Sequence, residues 1–168
     1  MIEAAALIVF PVLMAFAASS DLLTMTISNR ISIALVACFL AMALALHMPW
    51  REFADHLSCG VVILAITFAL FWRGWVGGGD AKLAAATAVW LGWAHVMDYG
   101  LVASAFGGVL TLSILVLRRW PLPQWLARRR WAARLHEHGS GVPYGIALAA
   151  AGLFIYPDTQ IWLRVIGA

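Results

Sequence analysis

Residues 81–117 read AKLAAATAVWLGWAHVMDYGLVASAFGGVLTLSILVL, with Lys82 and Asp98 as the only full charges. A helix needs about 20 apolar residues to cross a hydrocarbon layer of about 30 Å, so this stretch is long enough for two crossings. Nothing in it alternates with period two, which excludes barrel strands. The polar turn Met97-Asp98-Tyr99-Gly100 is the natural place to divide it, predicting a tight helical hairpin of 81–97 and 99–117.

The same composition extends outward in both directions. Apolar segments at 3–20, 31–48, 57–72 and 142–163 bring the total to six, and Pro157-Asp158 predicts a kink within the last. The chain has 168 residues, 64% of them hydrophobic, 11% charged, and a mean hydropathy of +0.90. That is more apolar surface than one soluble core of this size can hide. The expected fold is an all-α polytopic membrane protein, a bundle of about six transmembrane helices in one domain, 1–168. The opening stretch carries Glu3 and no Lys or Arg before residue 20. It lacks the basic region of a signal peptide and reads as the first span.

Orientation follows from the basic residues, which are retained on the cytoplasmic side. With six spans, Arg30, Arg73, Lys82, Arg118, Arg119, Arg128, Arg129, Arg130 and Arg134 fall on one face, and only Arg51 and Arg164 on the other. Both termini are therefore expected outside. Tryptophans 72, 75 and 120 would mark the inner interface, and 50, 93 and 162 the outer one.

A net charge of +3 and a pI near 9.3 do not point to nucleic acid, because most of the arginines flank one membrane segment. The Arg-rich loop 118–134, interleaved with Trp, reads as a contact to anionic lipids and a topology signal. Cys38 and Cys59 stand alone in apolar surroundings and read as packing residues. His136-Glu137-His138 is too short a cluster to build a metal site alone, and no cofactor or metal is expected. No serine-nucleophile elbow, phosphate loop or dinucleotide fingerprint is present.

The predicted topology divides the eight acids. Glu3, Glu52, Asp55, Asp98 and Asp158 go outside, Glu137 lies among the loop arginines, and Asp21 and Asp80 sit at the cytoplasmic mouths of helices. Ionisable groups at that depth are costly unless paired, hydrated or functional. Asp21 is expected just past the end of the first span, where the helix dipole disfavours an anion. Asp80 follows Gly77, Gly78 and Gly79 and would serve as an N-cap. The glycines leave room for a substrate or another helix to approach its carboxylate. Two carboxyls in a site of restricted solvation share protons unequally, one anionic and one neutral. That is equipment for peptide hydrolysis without a metal or a covalent intermediate.

Three stretches carry a resemblance: Asp21 followed by Ile27-x-Asn29, Gly77-Gly78-Gly79-Asp80-Ala81-Lys82, and Val142-Pro143-Tyr144-Gly145-Ile146-Ala147. With these in order, the chain resembles a type IV prepilin peptidase of the short form found with Flp/Tad pilus systems (the CpaA/TadV type). The resemblance implies an aspartyl endopeptidase of the inner membrane that removes a short basic leader from prepilins, just before their hydrophobic helix. It implies Asp21 and Asp80 as the catalytic pair. Asn29, Lys82, the three glycines and Pro143-Tyr144-Gly145 would be supporting residues. Longer members carry a cytoplasmic insert with paired cysteines between the first two spans, associated with N-methylation. Here only residues 21–30 stand there, so cleavage without methylation is expected. A basic leader would be repelled by the Arg-rich loop, which leaves that loop to lipid. The alternatives are a related preflagellin-type leader peptidase, or a small ion or proton carrier using the same two aspartates.

Overall fold

The computed structural model describes the backbone of residues 2–167 and the side chains of residues 7–167. The expected placement of Glu3 lies outside the described side chains. The regular elements among the described residues are all helices: α1 (Ile2–Thr24), α2 (Asn29–Ala45), α3 (Trp50–Trp72), α4 (Gly78–Leu117), α5 (Gln124–Ala127), α6 (Arg130–His136), α7 (Gly145–Ile155), a 3-10 turn (Tyr156–Asp158) and α8 (Gln160–Ile166). Parts or all of α1, α3 and α4 are long and apolar enough to cross a membrane. A fourth crossing results if α7 and α8, bent by 52° across Thr159, just beyond the predicted Pro157-Asp158 kink, are taken as one span.

The helical hairpin exists, but its turn is not where the polar residues suggested. Met97 to Gly100 remain helical, and the break in α4 falls at Gly92, with φ 66° and ψ −177°. That is a region of backbone space essentially closed to other residues. A straight helix would hold residues 80 and 104 about 36 Å apart. Asp80 and Ser104 instead line one cavity, as do Ala84, Val96 and Tyr99, so the chain doubles back at Gly92. The polar turn was misleading because Tyr99 is buried against the bundle, which a surface turn would not permit. His56 donates from Nδ1 to the Val89 carbonyl at 2.8 Å, occupying an acceptor beside the break. A Cβ on Gly92 would lie 3.1 Å from the His56 ring.

The first limb of α4, residues 78–91, is the central post of the bundle. Nearly every residue from Ala81 to Leu91 is buried, Lys82 excepted. Its alanines explain why: without a strong hydrophobic drive between helices in lipid, small side chains let backbones approach and gain dispersion contact. At the far end of this limb, Trp90 stacks among Phe10, Phe39 and Tyr156, with ring centroids 5.1, 5.9 and 5.9 Å away. Its indole N–H donates to the Leu35 carbonyl at 2.9 Å. One residue thus ties α1, α2 and the end of α7 to the post.

The two ends of the bundle differ in charge. Glu52 and Arg164 form an ion pair at 2.6 Å at one end, joining α3 to α8. Thr24, Asn29, Lys82, Arg118, Arg134 and Gly145 gather at the other through contacts described below. Gly92→Ala is expected to cost about 1–3 kcal/mol in backbone strain, before any clash with His56. The check is a lowered thermal midpoint in detergent, with no comparable change for Gly100→Ala, where a Cβ meets nothing within 4 Å.

Candidate active site

Asp21 does not lie beyond α1, as the sequence suggested, but inside its last turn, and it is 5% exposed. Burial of a carboxylate there demands a partner, and α7 supplies it. The Gly145 backbone N–H donates to Asp21 Oδ2 at 2.8 Å across 124 residues of sequence. The unfavourable end of α1 is therefore offset by the favourable N-terminus of α7, whose first free N–H groups attract an anion.

Gly145 is required by this contact. A Cβ there would lie 2.6 Å from Ile27 Cδ1 and 2.8 Å from Asp21 Oδ2. Pro143 is fully buried and Tyr144 half-buried. The Tyr144 hydroxyl donates to the Ala103 carbonyl at 3.2 Å, and its ring fills the space left by Gly107. The phenol is a hydrogen-bond donor at the edge of the site.

Asp80 is not the N-cap of α4. Gly77 holds that position without a side-chain cap, and Asp80, three residues on, folds its carboxylate back to the Gly77 backbone N–H. This is half of a capping box. Asp80 is half-buried and lies on the wall of a cavity of about 670 Å³, shared with Thr67, Tyr99, Ser104 and Tyr144. Its carboxylate lies within electrostatic reach of Asp21.

The three glycines have separate neighbours, all from this chain. A Cβ on Gly77 would meet the Asp80 carboxylate at 2.8 Å, one on Gly78 the Phe71 ring at 3.2 Å, and one on Gly79 the Ile27 Cβ at 3.1 Å. The room at Gly79 is thus occupied by the α1–α2 connection. Ile27, buried and touching the surroundings of both Gly79 and Gly145, is the wedge that fixes the spacing of the two aspartate-bearing segments. Lys82 and Asn29 do meet, with Lys82 Nζ donating to Asn29 Oδ1 at 2.8 Å. They border a different groove from the Asp80 cavity.

Two arginines of the loop were read only as charge and have a structural task as well. Arg118, 9% exposed, donates to the carbonyls of Leu135, Ser140 and Gly141 at 2.7, 3.0 and 3.2 Å, and to Ser140 Oγ at 2.8 Å. Arg134 donates to the Thr24 carbonyl at 2.8 Å, capping the end of α1 one turn beyond Asp21. Together they hold the segment that leads into Pro143-Tyr144-Gly145. A fork of donors closing on carbonyls suits guanidinium geometry, but nothing in the order of residues announces it.

A family model described as the type IV leader peptidase family matches residues 8–112. The chain belongs to the type IV leader peptidase family. The matched stretch contains both Asp21 and Asp80, and ends before Tyr144 and Gly145. Membership implies an aspartic-type protease, and a prepilin-type leader peptidase in general terms. No curated protein and no solved structure matches the chain.

Gly145→Ala is expected to displace the Asp21 carboxylate, and a shift of about 1 Å within an active site costs about 10²-fold in rate. Cleavage of a prepilin followed on a gel should show that loss. Gly139→Ala, where a Cβ would meet nothing within 4 Å, should cleave as wild type does.

Proposed function

We propose that the chain is a membrane-embedded aspartyl endopeptidase that removes the short basic leader from Flp-type prepilins at the cytoplasmic face of the inner membrane. The observation that carries this reading is the convergence of Asp21 and Asp80, from α1 and α4, around Ile27 and Gly145 in a chain of this family. Asp21 and Asp80 are the catalytic dyad of this proposal. One carboxylate takes a proton from water as the water oxygen attacks the scissile carbonyl, and the other, as a carboxylic acid, protonates the carbonyl oxygen. Collapse of the tetrahedral intermediate breaks the C–N bond: the leaving amine takes the proton that the first carboxyl received from water, and a hydroxyl of the intermediate returns a proton to the second carboxylate. The pair titrates as one unit, so no fixed assignment of roles is attached to either residue.

The substrate's hydrophobic helix packs laterally on this reading, with the scissile bond at the Asp80 cavity. Ile63, Leu70, Val76 and Val142 among its walls suit an apolar chain better than a basic one. The connection between α1 and α2 is residues 25–28 alone. This supports cleavage without N-methylation, since no insert stands there. For the membrane we infer six crossings: α1, α2, α3, the two limbs of α4, and the bent pair of α7 and α8. Arg134 and Lys82 bind at the same end of the bundle as the aspartates. The excess of basic residues at that end favours the cytoplasmic side.

Co-expression with an Flp-type prepilin tests the chemistry. Asp21→Asn and Asp80→Asn should each leave the precursor at full length, whereas complete processing by either variant removes the dyad. The crossings are tested by reporter fusions after residues 50 and 130, which should report opposite sides. A shared side would refute the six-span arrangement.

A further inference from the structure

On the face of α4 turned away from the Asp80 cavity, a second groove of about 670 Å³ runs between α2, α3 and the first limb of α4. Its walls are apolar, with Val36, Ala37, Leu40, Leu64 and Val89 among them, and Asn29 and Lys82 stand at the end nearest the aspartates. Two polar features interrupt this surface. Lys82 donates to the neutral Asn29 amide, and among the described residues no carboxylate pairs with it. Ser32, 9% exposed, has a buried hydroxyl with no hydrogen-bond partner.

We infer that this groove is a binding site for one anionic glycerophospholipid, its phosphate at Lys82 and Asn29 and its acyl chain along α2. Length argues for this occupant. From Asn29 to Leu40 the groove extends about 16 Å by helix rise, about half of a hydrocarbon layer of about 30 Å. One leaflet's acyl chain needs that length; a crossing helix needs twice as much.

The polar groups match a lipid at the corresponding depths. An ammonium can only donate, so the Asn29 oxygen faces Lys82 and the Asn29 N–H groups are free for phosphate oxygens. Two donors of Lys82 remain for the same phosphate. Ser32 lies about 4.5 Å deeper along α2, where its O–H can donate to an ester carbonyl. Leaving that hydroxyl dry and unpaired would be costly in lipid. The site is separate from the protease reading: it needs only that the chain spans a membrane, and binding is measured without any prepilin.

The experiment is native mass spectrometry of the detergent-purified protein titrated with phosphatidylglycerol or phosphatidylcholine. Wild type should retain phosphatidylglycerol over phosphatidylcholine by about fivefold, the effect of one cation near an anionic headgroup. Lys82→Gln should abolish that preference, and Ala37→Phe, which fills the groove from a lipid-exposed position, should reduce retention of both lipids. Equal retention by wild type overturns the inference. So does a preference that survives Lys82→Gln and disappears instead when Arg128, Arg129 and Arg130 are all changed to Gln. A photoreactive residue at position 37 that captures a co-expressed prepilin in place of lipid would also overturn it.

Discussion

The bond from the Gly145 N–H to the Asp21 carboxylate is the contact on which the arrangement of the molecule turns. A carboxylate buried in a helical bundle is tolerated only when the protein replaces its water with donors. One donor comes from the first turn of α7, which holds α7 to the end of α1. With α7 fixed there, Tyr144 falls against Gly107 and the second limb of α4, and Ile27 is trapped between the aspartate-bearing segments. The same contact that makes Asp21 affordable in the bundle also assembles the site.

The long-range architecture was legible in the sequence to the extent that it follows from lipid as solvent. Apolar length predicted the helices and the doubling back of residues 81–117, and Pro157-Asp158 pointed to the neighbourhood of the bend that falls at Thr159. Positions within those elements were less legible, because they depend on contacts between distant parts of the chain. The hairpin turns at Gly92 and not at the more polar Met97 to Gly100, since glycine can adopt φ 66° while the buried Tyr99 stabilises continued helix. Asp21 seemed to lie beyond α1 because a charge normally ends an apolar run. Its place inside the helix depends on Gly145, which no local pattern links to it.

The site residues divide in the same way. Asp21, Asp80 and Gly145 stand together, and the motifs that drew attention to them were informative because each needs an unusual residue at one position. Lys82 and Asn29 also meet, but beside another groove. Arg118 and Arg134 were read as members of a basic cluster, in which any arginine looks like the next. Only the folded loop distinguishes them from Arg128 or Arg129, by turning their donors onto carbonyls of the chain.

The spacing of Asp80 and Lys82 has its own physical logic. Residues three or four apart on a helix can form an ion pair, whereas residues two apart project about 200° from one another. The intervening Ala81 therefore keeps the ammonium from neutralising the carboxylate one step along the chain. Lys82 turns to Asn29 on α2, and Asp80 turns to its cavity with Gly77 as its backbone donor. A spacing of three or four residues would settle the charge of Asp80 in favour of a fixed anion. The observed spacing leaves its protonation to Asp21 and to whatever occupies the cavity, the condition a shared-proton dyad requires.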